Sequence, residues 1–180
     1  MKFGGTSVAN LSRIKKLQQL VKNKILSGHK KIVVVVSAMS GVTNNLVKQY
    51  RQIDSDINKP EYDVILSTGE QYSSALISTF LNKNGVKSRS ILGWQVPIIT
   101  DNKFSQARIE KINTDKILKL FKKFNVLVVA GFQGISSEGR ITTLGRGGSD
   151  TSAVAIAVAL KSKICEIYTD VEGIFSSDPR

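Results

Sequence analysis

The run Ile32-Val33-Val34-Val35-Val36 indicates the fold class of this chain. β-branched side chains favour strands, and an apolar run without polar alternation is typical of a strand buried on both faces of a parallel sheet. Similar apolar runs occur at residues 126–130 and 164–168. We therefore expect three buried strands in one largely parallel sheet.

Helical patterns and shorter strands alternate with these runs. The predicted helices are a first one with Leu11, Ile14, Leu17 and Val21 on one face, a second that Pro60 opens at about residues 61–82, and a third at about residues 113–123. Strand-like segments occur at residues 88–92 and 97–100, and a hairpin is expected around residues 138–143. The alternation predicts a three-layer α/β fold, in which a largely parallel central sheet lies between helices.

Length and composition indicate one globular domain over residues 1–180, with a hydrophobic content of 41%. No apolar run approaches the ~20 residues of a membrane span, and the start lacks a secretory signal pattern. We therefore expect a cytoplasmic protein without a membrane partner.

The net charge of +12 is spread along helical surfaces without aromatic interleaving, so we expect no nucleic-acid partner. The single residues Cys165 and His29 exclude a zinc site of soft ligands, and we expect a core cysteine and a solvated loop histidine.

Residues 142–150, Thr-Thr-Leu-Gly-Arg-Gly-Gly-Ser-Asp, precede an alanine-rich helical run. The glycines let a ligand approach the backbone, and the helix start offers unpaired N–H groups to an anion. The Arg146 guanidinium suits a carboxylate or phosphate, while Asp150 can cap the helix or hold a cationic side chain. Taken alone, the pattern also fits an ordinary glycine-rich turn before a capped helix.

A second glycine element, Lys2-Phe3-Gly4-Gly5-Thr6-Ser7, stands before the first predicted helix. Its amides can hold phosphate oxygens, and the Lys2 ammonium can offset the charge of a triphosphate. The order differs from a Walker loop, in which the lysine follows the glycines, so a P-loop fold is disfavoured.

Polar residues also interrupt apolar segments. Residues 37–43 offer hydroxyl groups and a glycine directly after the run 32–36, at the strand end where ligands dock in α/β sheets. Glu70 stands on an apolar helical pattern, where a carboxylate is costly to bury without donors or a cation. It could be an ordinary surface glutamate, but the adjacent Gly69 favours close approach of a ligand or another backbone.

Residues 168–180 combine hydroxyl, carboxylate and guanidinium groups that fit either a nucleotide clamp or a surface loop.

Together these motifs resemble the amino acid kinase family, and in particular its members that phosphorylate aspartate. The matching segments are residues 2–8, 33–46, 67–71, 95–101, 131–134, 142–153 and 168–180. The resemblance implies that residues 1–180 form an amino acid kinase catalytic domain. Its reaction would be transfer of the γ-phosphoryl group of ATP, supplied with Mg²⁺, to the side-chain carboxylate of L-aspartate. The product, 4-phospho-L-aspartate, enters lysine, threonine and methionine biosynthesis, and a homo-oligomer is implied for the full-length protein.

The resemblance also assigns roles to residues. Lys2 and Asp150 would be catalytic, Lys2 stabilising the transferring phosphoryl group and Asp150 orienting the active-site lysines. Glu70 would bind the amino group of aspartate and Arg146 its α-carboxylate. The further substrate-binding residues would be Ser37, Thr43, Gly147 and Gly148. The nucleotide would be held by Lys2, Phe3, Gly4, Gly5, Thr169, Asp170, Phe175 and Arg180, and no residue is expected to ligate a metal.

The sequence departs from the family pattern in three places. Met1 directly precedes Lys2, so we expect the first strand to be nearly missing, and Phe175 replaces a tyrosine of many relatives. A segment that closes the nucleotide site and the paired regulatory domains are not among the 180 residues. We therefore expect weak or no activity from this chain alone. A kinase of glutamate or acetylglutamate and a noncatalytic nucleotide-binding fragment are the alternatives.

Overall fold

The computed structural model of this chain describes residues 1–169. The elements are β1 (Lys2–Phe3), a 3-10 turn (Thr6–Val8), α1 (Leu11–Leu26), β2 (Ile32–Val36), α2 (Val42–Arg51), α3 (Pro60–Lys83), β3 (Ser88–Ile91), β4 (Ile98–Thr100), β5 (Ile109–Ile112), α4 (Thr114–Leu120), β6 (Val126–Ala130), β7 (Gln133–Ser136), β8 (Ile141–Thr143), α5 (Gly148–Ala159) and β9 (Ile167–Tyr168).

The main sheet has the strand order β3-β6-β2-β1-β9, and all of its neighbouring strands are parallel. At its centre β2 pairs with β6 in register from Ile32 opposite Val126 to Val36 opposite Ala130. Every residue of β6 is buried, as a continuous apolar run predicts. The expected parallel sheet is confirmed at its two central strands.

Helices cover both faces of this sheet, because successive strand side chains point to opposite sides. On one face α1 and α3 contribute Ile14, Leu17 and Leu81 to a core with alternate residues of β2 and β6. On the other face α4 and α5 contribute Ile117 and Ile156. The three-layer α/β fold is therefore confirmed.

A second, mixed sheet has the order β5-β4-β7-β8. Strands β7 and β8 form an antiparallel hairpin whose turn includes Gly139, which confirms the predicted hairpin. The sequence pattern did not reveal β5, because its four residues are partly or fully exposed and carry no apolar alternation. This smaller sheet places residues 142–148 next to α3 and the start of α5.

Several sequence expectations were wrong in detail. The run 164–168 is not a buried strand, because only Ile167 and Tyr168 pair with β1 at the sheet edge. Cys165 is correspondingly exposed rather than in the core. Leu11 is also exposed, since it is the first residue of α1 and precedes the buried stripe. Helix α4 ends at Leu120, before the expected Lys123.

Two further expectations, on β1 and on His29, are confirmed. β1 is only two residues long, as expected from Met1 standing directly before Lys2. His29 is exposed in the connection that follows α1. Within residues 1–169, no helix is both long and apolar enough to cross a membrane.

Candidate active site

A cavity of about 1220 Å³ lies where β2 and β6 end. Because the carboxyl ends of parallel strands meet at one sheet edge, segments that are distant in sequence converge there. The predicted site residues in its wall are Lys2, Ser37, Thr43, Glu70, Arg146, Gly147, Gly148 and Asp150. Both predicted catalytic residues and all predicted substrate-binding residues thus line one cavity.

Lys2 and Asp150 form an ion pair, with 2.9 Å between Nζ and Oδ1. Lys2 is buried in β1, where its amide donates to the Glu166 carbonyl and its strand pairs with β2 on the other side. Asp150 lies in the first turn of α5 and is half exposed. No side chain caps this helix, so of the two roles open to Asp150 the structure supports holding a cation. The short β1 is sufficient to fix Lys2 against α5.

Glu70 of α3 is buried with only 3% of its surface exposed. Its Oε1 accepts a hydrogen bond of 2.9 Å from the Ala38 amide, whereas Oε2 has no partner among the described residues. Burial raises the pKa of the carboxyl to about 7, although the backbone donors act in the opposite direction. An unpartnered carboxylate oxygen in a cavity wall is suited to a cationic group of a ligand.

Gly69 explains how Glu70 reaches this position. A Cβ atom at Gly69 would lie 2.8 Å from the Ala38 Cβ, closer than real Cβ atoms approach. The glycine therefore lets the loop after β2 pack directly on α3 and bring the Ala38 amide to the carboxylate. We expected a ligand or another backbone close to Gly69, and the atoms that approach it are instead side-chain atoms of Ala38, Val42 and Leu46.

The loop between β8 and α5 carries Arg146 on the exposed part of the cavity wall. Gly145 and Gly147 adopt left-handed backbone angles, with φ of 73° and 72°, which glycine tolerates without strain. Gly148 lies against Phe132, and the Leu144 amide donates to the Phe132 carbonyl. The arginine is therefore presented by a loop whose backbone is fixed at both of its ends.

The predicted nucleotide-binding residues divide into three groups. Gly4 and Gly5 follow β1 beside Lys2, and a Cβ at Gly5 would lie 2.6 Å from the Ala38 carbonyl oxygen. Phe3 is buried between β2 and β9, its ring stacks on Tyr168 at 4.6 Å, and it does not line the cavity. Thr169 follows β9 and is the last described residue. The candidates Asp170, Phe175 and Arg180 lie outside the described residues.

Among the residues that sequence reasoning missed are three of the polar or charged residues of the cavity wall and one residue behind it. Ser105, Arg51 and Arg108 line the wall, and Asp63 is fully buried beneath it. Asp63 lies seven residues before Glu70, two helical turns along the same face of α3, and this spacing was the available signal. No local pattern marked the other three, because they reach the cavity through tertiary folding.

The charged lining of the cavity is predominantly cationic. Its cationic side chains are Lys2, Arg51, Arg108 and Arg146, and its carboxylates are Glu70 and Asp150. A cleft with an excess of one sign concentrates ligands of the other sign. The arrangement therefore favours anionic ligands while keeping one buried carboxylate for a cationic group. Among residues 1–169, no cluster of three or more His, Cys, Asp or Glu side chains could hold a metal ion.

The parallel sheet, the lysine in β1 and the glycine-flanked arginine define an α/β protein with a predominantly cationic cavity at its strand ends. The chain belongs to the amino acid kinase family, which it matches over residues 1–180.

Its relatives within that family include aspartokinases. It is 50% identical over 182 residues to an aspartokinase of Rickettsia felis, covering 99% of this chain and 45% of the relative. It is 51% identical over 179 residues to an aspartate kinase of Stutzerimonas stutzeri, covering 99% of this chain and 43% of the relative. The chain thus spans about half the length of the curated relatives it matches.

Solved structures agree with this placement. E. coli aspartokinase III in complex with aspartate and ADP is similar with a TM-score of 0.84 and 25% identity, over 99% of this chain and 50% of that one. Aspartate kinase from Synechocystis is similar with a TM-score of 0.82 and 46% identity, over 99% of this chain and 29% of that one.

Proposed function

We propose that this chain is the catalytic domain of an aspartate kinase, with residues 1–180 belonging to that domain. It transfers the γ-phosphoryl group of ATP to the side-chain carboxylate of L-aspartate and forms 4-phospho-L-aspartate, the entry compound of lysine, threonine and methionine biosynthesis. The observation that carries the proposal is one cavity that holds the half-paired Glu70 carboxylate, the Arg146 guanidinium and the Lys2–Asp150 pair. The aspartokinase relatives at about half sequence identity support the same reaction.

The charges of the wall are complementary to an amino acid zwitterion. Glu70 Oε2 accepts from the substrate ammonium, and the Arg146 guanidinium binds the α-carboxylate with two parallel hydrogen bonds. Ser37 and Thr43 supply hydroxyl groups from the loop after β2 and the start of α2, and Gly147 and Gly148 leave room for the substrate beside Arg146. These contacts hold both groups on the α-carbon and leave the side-chain carboxylate free to react.

The reaction needs no general base, because the attacking carboxylate is already ionised at neutral pH. A carboxylate oxygen forms a bond to the γ-phosphorus, the bond from that phosphorus to the bridging oxygen breaks, and ADP leaves with the electron pair. Lys2 offsets the negative charge on the transferring group, while Asp150 keeps the Lys2 ammonium directed at it. Catalysis therefore rests on positioning and charge stabilisation.

Nucleotide binding is assigned to the segment after β1 and to the segment after β9. Lys2, Gly4 and Gly5 contact the phosphates, and the buried Phe3 anchors this segment in the core. Thr169, Asp170, Phe175 and Arg180 hold the rest of the nucleotide. The Asp150 carboxylate is already paired with Lys2, so Mg²⁺ would enter with the ATP co-substrate and would supply additional positive charge at the phosphates. We further propose a cytoplasmic location and a homo-oligomeric full-length protein.

Formation of aspartyl hydroxamate from ATP, L-aspartate and hydroxylamine tests the reaction. We expect Lys2→Ala to lower the rate by about 100-fold or more, because the transferring charge loses its closest cation. Lys30→Ala, at an exposed lysine outside the cavity wall, is the matched control and should leave the rate unchanged. Equal and measurable rates in wild type and Lys2→Ala would refute catalysis by this site.

Binding titrations with L-aspartate, L-glutamate and N-acetylglutamate test the substrate. We expect L-aspartate to bind tightest, because Glu70 requires a free ammonium group and the short side chain fits between Arg146 and Lys2. A preference for N-acetylglutamate, which lacks the ammonium charge, would overturn the assignment.

A further inference from the structure

Asp63 of α3 is a fully buried carboxylate with neutral hydrogen-bond donors on both oxygens. The Ser105 amide donates to Oδ1 at 2.9 Å and to Oδ2 at 3.0 Å. The Thr143 hydroxyl donates to Oδ1 at 2.8 Å, and the Thr143 amide donates to Oδ2 at 2.7 Å. None of the aspartate side chain is exposed. One carboxylate therefore joins a helix to two separate loops.

Both of these loops line the cavity. Thr143 ends β8 and leads through Leu144 and Gly145 to Arg146. Ser105 begins the second segment, which continues to Arg108 in the wall. The segments also contact each other, because the Ala107 amide donates to the Thr143 carbonyl at 2.9 Å. Fixing one of them relative to α3 therefore fixes the other.

Ser105 has an unusual backbone conformation that Asp63 helps to maintain. Its φ is +64°, in the left-handed region that non-glycine residues rarely adopt. Such a residue persists only where its surroundings over-determine it, and here the amide is held by both carboxylate oxygens. A Cβ at Gly145 would lie 3.2 Å from the Ser105 carbonyl oxygen, so the arginine loop packs directly against this residue.

Burial of Asp63 is costly by itself. It raises the pKa of the carboxyl, and the donors from Ser105 and Thr143 offset this in part. An uncharged residue of similar size could fill the space, whereas only an acceptor with two oxygens can take both amides and the hydroxyl. The free-energy cost of burying Asp63 and the backbone strain at Ser105 thus occur at one point beneath the cavity.

We infer that Asp63 is a positioning residue for the amino acid substrate. The same rigid helix carries Asp63 and Glu70, two turns apart, so Asp63 sets where Arg146 stands relative to Glu70. Those two side chains bind opposite charges of the zwitterion in the proposed function, on which this inference rests. The residue acts through the loop backbone and does not touch the substrate.

Calorimetric titration with L-aspartate tests the inference, and a non-hydrolysable ATP analogue titrated separately reports on the nucleotide site. We expect Asp63→Asn to weaken L-aspartate binding by about tenfold, because its amide group opposes an N–H donor, and to change binding of the analogue by less than about twofold. Thr143→Val removes only the hydroxyl contact and should weaken aspartate binding by a smaller factor. Thr143→Ser retains the hydroxyl and should bind as wild type does.

A matched control separates positioning from general loss of stability. Asn82 near the other end of α3 also joins this helix to another segment, exchanging two hydrogen bonds of 2.9 Å with the backbone of Ser88. Asn82→Ala should lower the unfolding temperature and leave L-aspartate affinity unchanged. If Asn82→Ala weakens aspartate binding as much as Asp63→Asn does, the positioning role is refuted.

A double-mutant cycle provides the decisive result. If Asp63 acts through the arginine loop, Asp63→Asn combined with Arg146→Ala binds aspartate no more weakly than Arg146→Ala alone. Independent, additive losses would overturn the inference. Should Asp63→Asn fail to fold, the same cycle is made with Thr143→Val. If the wild-type protein does not bind aspartate, the proposed function is overturned and this inference with it. If Arg146→Ala weakens aspartate binding but the Asp63 and Thr143 variants do not, this inference alone is overturned.

Discussion

The Nζ atom of Lys2 lies 2.9 Å from Oδ1 of Asp150, although the two residues come from opposite ends of the described chain. Strand β1 lies between β2 and β9, and α5 packs against it with its first turn beside the lysine. The pair therefore depends on the sheet order and not on any local motif. It joins the two glycine-rich elements at a single cavity.

We expect Asp150→Asn to impair phosphoryl transfer far more than stability. A half-exposed ion pair contributes only about 0–1 kcal/mol to folding, whereas a misdirected Lys2 costs about 10- to 100-fold in rate. Hydroxamate assays and thermal unfolding of the same samples measure the two effects. Glu166→Gln, which removes the Lys24–Glu166 pair outside this cavity, is the control and should leave the rate unchanged. An unchanged rate in Asp150→Asn would contradict the role given to this residue.

Aspartate binding should weaken as the pH falls below 7. Only ionised Glu70 attracts the substrate ammonium, and burial raises the pKa of Glu70 to about 7. Below that pH the ionised fraction, and with it the affinity, should fall by about tenfold per pH unit. Titrations between pH 5 and pH 8, at about half-unit steps, check this dependence, and in Glu70→Gln it should disappear. A flat profile in wild type would show that Glu70 does not bind the ammonium.

The same carboxyl should make the ligand-free protein less stable as the pH rises. Folded Glu70 keeps its proton up to about pH 7, whereas the unfolded side chain loses it near 4.5. Unfolding releases a proton between these values, so the contribution of Glu70 to stability is complete below 4.5 and is lost as the pH approaches 7. Glu70→Gln should therefore gain up to about 3 kcal/mol relative to wild type across this window. Urea unfolding of both proteins at several pH values measures the difference, and a constant difference would be inconsistent with a buried neutral carboxyl.

Gly69→Ala should destabilise the protein despite the higher helix propensity of alanine. Propensity alone favours the change by about 1 kcal/mol. The new methyl group would lie 2.8 Å from the Ala38 Cβ and must displace the loop, at a cost of about 1–3 kcal/mol. Aspartate affinity should fall as well, because the Ala38 amide shifts away from Glu70. Thr68→Ala, at the exposed residue directly before Gly69, is the control. Unfolding and binding experiments should show almost no change in its stability or in its aspartate affinity.

The sequence predicted the parts of the fold that follow local rules. The continuous β-branched run of β2 and the apolar run of β6 specified central parallel strands, and both are buried. The run 164–168 has a similar composition but lies at the sheet edge, and composition does not distinguish an edge from a centre when the neighbours are unknown. Edge position therefore accounts for the exposed Cys165.

The residues of the site likewise divide into those that the sequence indicated and those that it did not. Glu70 and Arg146 stand directly beside glycines and Lys2 stands two residues before Gly4, so glycines marked all three in the sequence, and all three line the cavity. The role of Asp63 was not predictable, because its partners are 42 and 80 residues away. Its contacts exist only once α3, β8 and the loop before β5 have packed together.

The contact of Gly5, Ala38 and Gly69 limits how the substrate specificity of the proposed kinase could be redesigned. Ala38 is held between two glycines that leave no space for a methyl group on either side. Ala38 lines the cavity, so this part of the wall has no space into which to retreat, and we expect that a longer dicarboxylic acid cannot be accommodated by deepening the cavity here. Engineering for such substrates has to lengthen or shift the opposite wall, where the arginine-bearing loop joins α5.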